Sequence, residues 1–130
     1  MLACCLTACD DGPPVGPECP SLLKGWSEPQ NGRSAFRTMN TITLTESGAK
    51  WNGQSISDDE LRQYLSIGKT MDPVPFTVFD PSGAPNCREA AKLRDKINDA
   101  ADCQVGGDCG QGSVAVWKTA PGLRGPGWIE

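Results

Sequence analysis

TITLTESGAKWNGQSISDDELRQYLSIG, residues 41–68, reads as a β-hairpin running directly into a capped helix. Ile42 and Leu44 alternate with Thr41, Thr43 and Thr45, a period of two in mostly β-branched residues that suits a strand with one buried face. Gly48 supplies a turn, and a second short strand ends at Trp51. Asn52-Gly53 follows as a turn dipeptide, because both residues tolerate positive φ. Ser57 then stands as an N-cap, with Glu60 three residues on to complete a capping box and Asp58 and Asp59 in the first turn, where the helix dipole favours negative charge. Ile56 and Leu61 form a hydrophobic staple. Leu61, Tyr64 and Leu65 are expected to make the buried stripe, and Gly68 to end the helix.

Towards the C-terminus, Pro73 and Pro75 precede the apolar run 76–79, which suits the beginning of a strand, and Asp80-Pro81-Ser82-Gly83 reads as a turn. Asn86 caps a second helix, with Glu89 repeating the capping pattern. On that helix Ala90, Leu93, Ile97, Ala100 and Ala101 share one face, while Arg88, Lys92, Asp95, Lys96 and Asp99 lie towards water. GGDCGQG, residues 106–112, reads as a loop, and SVAVWKT, residues 113–119, as a last strand on its β-branched and aromatic content. The order strand, strand, helix, strand, helix, strand predicts a small α+β fold, a mixed sheet with two helices packed on one face.

The composition limits what the fold can do. With 130 residues, 38% hydrophobic and 22% charged, the chain supports one core plus appendages. A net charge of −4 without a basic cluster leaves no electrostatic footprint for nucleic acid, and the lack of histidine removes the usual general base and the commonest transition-metal ligand. Neither a metal nor a cofactor is expected. The 15 glycines and 11 prolines concentrate at the two ends. The chain is therefore divided into 1–8, a signal-peptide remnant; 9–38, a flexible tether; 39–119, the α+β domain; and 120–130, an irregular tail in which Trp128 and Ile129 could make a contact.

At the amino end, Leu6-Thr7-Ala8-Cys9 resembles the bacterial lipobox, in which small residues before the cysteine let a signal peptidase approach the backbone and Cys9 receives the lipid. Eight residues precede Cys9 and none is basic, whereas a secretory signal has a basic start and an apolar run of roughly 7–15 residues. A start upstream of Met1 would reconcile the two. Of the seven cysteines, Cys4 and Cys5 fall in the signal and Cys9 carries lipid, leaving Cys19, Cys87, Cys103 and Cys109, an even number that suits an oxidising compartment. Cys87 and Cys103 bracket one predicted helix, about 24 Å apart at 1.5 Å per residue, too far for a disulfide. Cys103 and Cys109 flank a Gly-rich loop and can meet, so elimination joins Cys19 to Cys87. A zinc site lacks both a CxxC pair and a histidine.

Residues with catalytic chemistry have plainer explanations. The triplet Asp58, Asp59, Glu60 is accounted for by capping and dipole compensation. Asp80 before a proline suits a turn, Trp51 suits packing on its hairpin, and a cysteine nucleophile would want an activating partner such as histidine. GGDCGQG lacks the Lys-Ser/Thr ending of a phosphate loop. No enzymatic activity is expected.

The run 44–65, followed by PFTVFD and a helix, resembles the periplasmic domain of the ExbD/TolR family, through Gly48, Trp51, Asn52, Gly53, Ile56, Leu61, Leu65, Val78 and Asp80 over about residues 40–118. Members of that family carry a transmembrane helix whose aspartate takes part in proton-driven work, and the sequence has no comparable apolar stretch. The resemblance therefore implies only the domain's share: binding a periplasmic or envelope protein, with a homodimer as one form. The expectation is a membrane-anchored lipoprotein of the periplasm with a biopolymer-transport-like head. The alternative is an unrelated disulfide-containing lipoprotein acting as inhibitor, immunity factor or surface adhesin.

Overall fold

The computed structural model describes residues 13–16, 19–29 and 38–119, together with the backbone of 33–34 and 122–123. Its centre is a six-stranded mixed sheet. Strand β1 is Trp26–Ser27; Arg33–Ser34 (β2) and Gly122–Leu123 (β8) form a separate parallel pair. The hairpin consists of β3 (Met39–Thr45) and β4 (Gly48–Trp51), with β5 (Gln54–Ser55) beyond it. Strand β6 is Phe76–Asp80 and β7 is Cys109–Gln111. In space the order is β1-β7-β6-β3-β4-β5, with β1, β7, β6 and β3 parallel and the β3-β4-β5 meander antiparallel.

The meander forms for local reasons. Asn52 (φ 50°) and Gly53 (φ 88°) occupy the left-handed region in the two-residue connection between β4 and β5. The Asn52 side chain ties the turn to the neighbouring strand, its Oδ1 accepting from Thr41 N at 2.8 Å and its Nδ2 donating to Asn40 Oδ1 at 3.1 Å. Register then places Ile42 opposite Trp51 and Leu44 opposite Ala49, so the apolar residues of both strands share a face.

Helix α1, Asp58–Gly68, begins with a complete capping box: Ser57 Oγ accepts from Glu60 N at 3.2 Å and Glu60 Oε1 accepts from Ser57 N at 3.0 Å. Ser57→Ala is expected to cost about 1 kcal/mol, measured as a lower urea midpoint with unchanged slope. Leu61 and Leu65 are buried, but Tyr64 is not in the stripe: it is 43% exposed and lies edge-on to Trp51, ring centroids 5.4 Å apart. The two leucines fill the helix–sheet contact, and Tyr64 falls at its margin.

Helix α2, Cys87–Ala101, is capped by Asn86, whose Oδ1 accepts from Glu89 N at 2.9 Å. Ala90, Leu93 and Ile97 join Leu61, Leu65, Ile42 and Phe79 in the main core, so α1 and α2 cover one face of the sheet. The small α+β fold with two helices on one side is thus the observed architecture, extended by two short helices, α3 (Cys103–Gly106) and α4 (Val114–Lys118).

Residues 113–119 are not a strand. Ser113 Oγ accepts from Val116 N, a cap that opens α4, and Trp117 is fully buried against Phe76, with ring centroids 5.2 Å apart. Phe76 and Val78 alternate with Thr77 and Phe79 along β6, so this cluster packs on the sheet face opposite α1 and α2. The edge beside β6 is taken instead by β7, drawn from the Gly-rich segment read as a loop. Two parallel neighbours, β6 and β1, supply the hydrogen bonds that its own residues would not have nucleated.

Candidate functional site

Residues 19–29, assigned to the tether by sequence, lie across α2 and the β7 edge as a strap. Cys19 is disulfide-bonded to Cys87 at the start of α2, with Cα atoms 5.6 Å apart, and Cys103 to Cys109, 5.5 Å apart. These are the two pairs that elimination left. Gln111 Nε2 donates to Pro20 O at 2.9 Å and Trp26 Nε1 to Asn98 Oδ1 at 3.0 Å along the strap, and ahead of it Cys87 N donates to Pro13 O at 2.8 Å. Arg94 is buried beneath the strap and donates to Ser21 O at 2.6 Å and to Asp95 Oδ1 at 3.0 and 3.1 Å. A guanidinium is tolerated there because it is both paired and hydrogen-bonded. Sequence reasoning passed over Arg94, yet it stands four residues after Ala90 and three before Ile97, the spacing of the apolar face, and that position was its only signal.

The strap also builds a cleft. At the C-terminal ends of the parallel strands β1, β6 and β7, the strap, Val15 and Gly16 and the sheet border a half-open cleft of about 430 Å³, within the usual size of ligand sites and at the place where open parallel sheets bind ligands. Val15, Leu22 and Pro29 give it an apolar side, and Glu28, Asp80, Ser82 and Gln111 a polar one. Asp80 holds two elements together: its Oδ1 accepts from Ser82 N at 2.9 Å and Ser82 Oγ at 2.6 Å, and its Oδ2 from Val114 N at 3.0 Å. It thus closes the turn after β6 and caps the amino end of α4.

The chain matches no protein-family model, no curated protein and no solved structure. Function has to be read from the residues themselves.

Most of the side chains with chemical potential have structural work. Glu60 completes the capping box and Asp58 pairs with Lys96 across the α1–α2 contact. Lys69 pairs with Asp102 at 3.0 Å; both ion pairs are exposed enough to add little stability. Trp51 packs on its own hairpin and on Tyr64. Cys103 and Cys109 lie with no exposure in the core, which excludes them from surface chemistry in this state. Among the described residues, no three His, Cys, Asp or Glu side chains gather as a metal ion would need. Cys9, Trp128 and Ile129 lie outside the described residues.

Proposed function

We propose that this chain is a lipid-anchored, periplasmic head domain that binds another protein of the cell envelope, in the way the ExbD/TolR resemblance implies for the periplasmic part of such proteins. Cys9 carries the anchor in this reading, and the proton-coupled step of that family is no part of it. Among the described residues no helix is long and apolar enough to cross a membrane. The observation that carries the proposal is how the reactive groups are spent. Cys19, Cys87, Cys103 and Cys109 are in disulfides, Ser57 and Glu60 cap a helix, and Asp80 holds a turn and a second helix. With these cysteines, this serine and these two acids serving the fold, the domain is suited to working by contact, and its disulfides suit a compartment outside the cytoplasm.

The order of the elements adds support. The stretch carrying the resemblance forms the β3-β4-β5 meander, α1, the parallel strand β6 and α2 in that succession. In-cell crosslinking of the tagged full-length protein is expected to capture an envelope protein, with a second copy of the chain as a further product if the head dimerises. Capture of neither overturns the proposal. Radiolabelled palmitate is expected to enter the wild-type chain and not Cys9→Ala; equal labelling of the two removes the anchor from the proposal.

A further inference from the structure

We propose that the Cys19–Cys87 bridge is a redox latch on the strap: a dithiol reductant opens it while Cys103–Cys109 stays closed, and the cleft wall beside it is released from α2. This goes beyond partner binding and holds whichever protein the head meets.

Access separates the two disulfides. Thiol–disulfide exchange depends on a thiolate reaching one of the two sulfurs. Cys103 and Cys109 have no exposed surface, so a reductant meets them only after the surrounding core has opened. Cys87 is 6% exposed, whereas Cys19 is half-buried and the most open of the four.

The polarity of the bridge favours attack at Cys19. When a thiolate bonds to Cys19 Sγ, the bond to Cys87 breaks and its electron pair stays on Cys87 Sγ. Cys87 is the first residue of α2, where the amides and the dipole of a 15-residue helix stabilise an anion. Glu89, the one acid of that first turn, is paired with Lys92 at 3.3 Å, and Arg88 is next to the cysteine in the chain. A stabilised leaving thiolate speeds the exchange and favours the reduced form. The reductant's second thiolate then attacks its own sulfur in the mixed disulfide and expels Cys19. The dithiol ends as a disulfide, and the two protons it gives up balance the two new cysteine thiols.

What the latch holds is one wall of the cleft. Cys19 N donates to Gly16 O at 3.1 Å and Gly16 N to Cys19 O at 2.9 Å, so Gly16 and its neighbour Val15 are tied to Cys19, and both line the cleft. Leu22 lines it from the other side of the bridge in sequence. Once the bridge is reduced, this stretch keeps the hydrogen bonds of Pro13 to Cys87, Pro20 to Gln111 and Ser21 to Arg94, with no covalent tie to limit their opening.

The test is differential alkylation of the oxidised full-length chain. Free thiols are blocked with N-ethylmaleimide, which is then removed; dithiothreitol is added for increasing times, and new thiols are labelled with iodoacetamide. Peptide mass mapping assigns the labels and scores Cys4, Cys5 and Cys9 separately. Cys19 and Cys87 are expected to be labelled at least about tenfold faster than Cys103 and Cys109, because the buried pair waits for a local opening. Glutathione, a monothiol, is expected to leave its mixed disulfide on Cys19. In the chain reduced at this one bridge, the amide resonances of Gly16 and Leu22 are expected to shift while those of Ile42 and Phe79 in the core stay. Equal labelling of the two bridges, faster labelling of Cys103 and Cys109, or glutathione found on Cys87 would overturn the latch. So would unchanged resonances at Gly16 and Leu22, or core resonances lost together with them. Capture of a partner by crosslinking depends on none of these outcomes, so the two readings fall separately.

Discussion

Cys19→Ala together with Cys87→Ala is expected to lower the unfolding free energy of the oxidised chain by about 4 kcal/mol, while Cys103→Ala with Cys109→Ala lowers it by about 2 kcal/mol. The difference comes from loop length. Cys19 and Cys87 are separated by 68 residues and Cys103 and Cys109 by 6. Closing the longer loop removes more conformational freedom from the unfolded chain. The longer bridge also fixes the strap. Without it, the strap keeps the bonds to Arg94, Asn98 and Gln111 and the two-residue pairing of β1 with β7. Urea unfolding of the two double variants measures the losses, and amide exchange at Trp26 and Ser27 reports whether β1 opens ahead of the rest. Equal losses from the two pairs would show that loop closure is not what the longer bridge contributes.

The same distinction between near and distant causes explains what could be read from the sequence. The capping box at Ser57 and Glu60, the Asn52-Gly53 turn and the Asn86 cap each depend on residues within four positions of one another, so their signals survive in any context. The stripe Ala90, Leu93, Ile97 was legible because a helix's own geometry gathers those positions. Strand β7 was not legible, since Cys109, Gly110 and Gln111 have little strand preference and take extended form because β6 and β1 pair with them on both sides. Helix α4 was misread because Val114, Val116 and Trp117 carry strand propensity, which the Ser113 cap, the Asp80 carboxylate and the burial of Trp117 override. The cleft had no local signature at all, because its walls come from Val15, Gly16, Leu22, Glu28 and Pro29 together with residues 80–82 and 111–113. Only the strap and the parallel strand order bring those segments together.

The contact that decides α4 gives the other large effect. Gly110 lies in β7 beneath the Trp117 indole, where a Cβ would stand 2.4 Å from Trp117 Cζ2 and 3.0 Å from Phe76 Cε2. Both rings are buried and packed on each other, so neither is free to swing away. Gly110→Ala is therefore expected to destabilise by about 3 kcal/mol, at the upper end of overpacking costs. Trp117→Ala leaves a large cavity against Phe76 and Val78 and is expected to cost about 4 kcal/mol. The pair is the sharper experiment. Once the indole is gone, the methyl that Gly110→Ala introduces enters space that would otherwise be empty, so this second substitution should cost less than about 1 kcal/mol in the Trp117→Ala background, a coupling of about 2 kcal/mol. The sign of that coupling separates steric conflict from a weakening of β7 itself, because a strand defect would add to the cavity cost. Additive losses would mean that the indole does not rest on Gly110, and the position would then have no reason to lack a side chain.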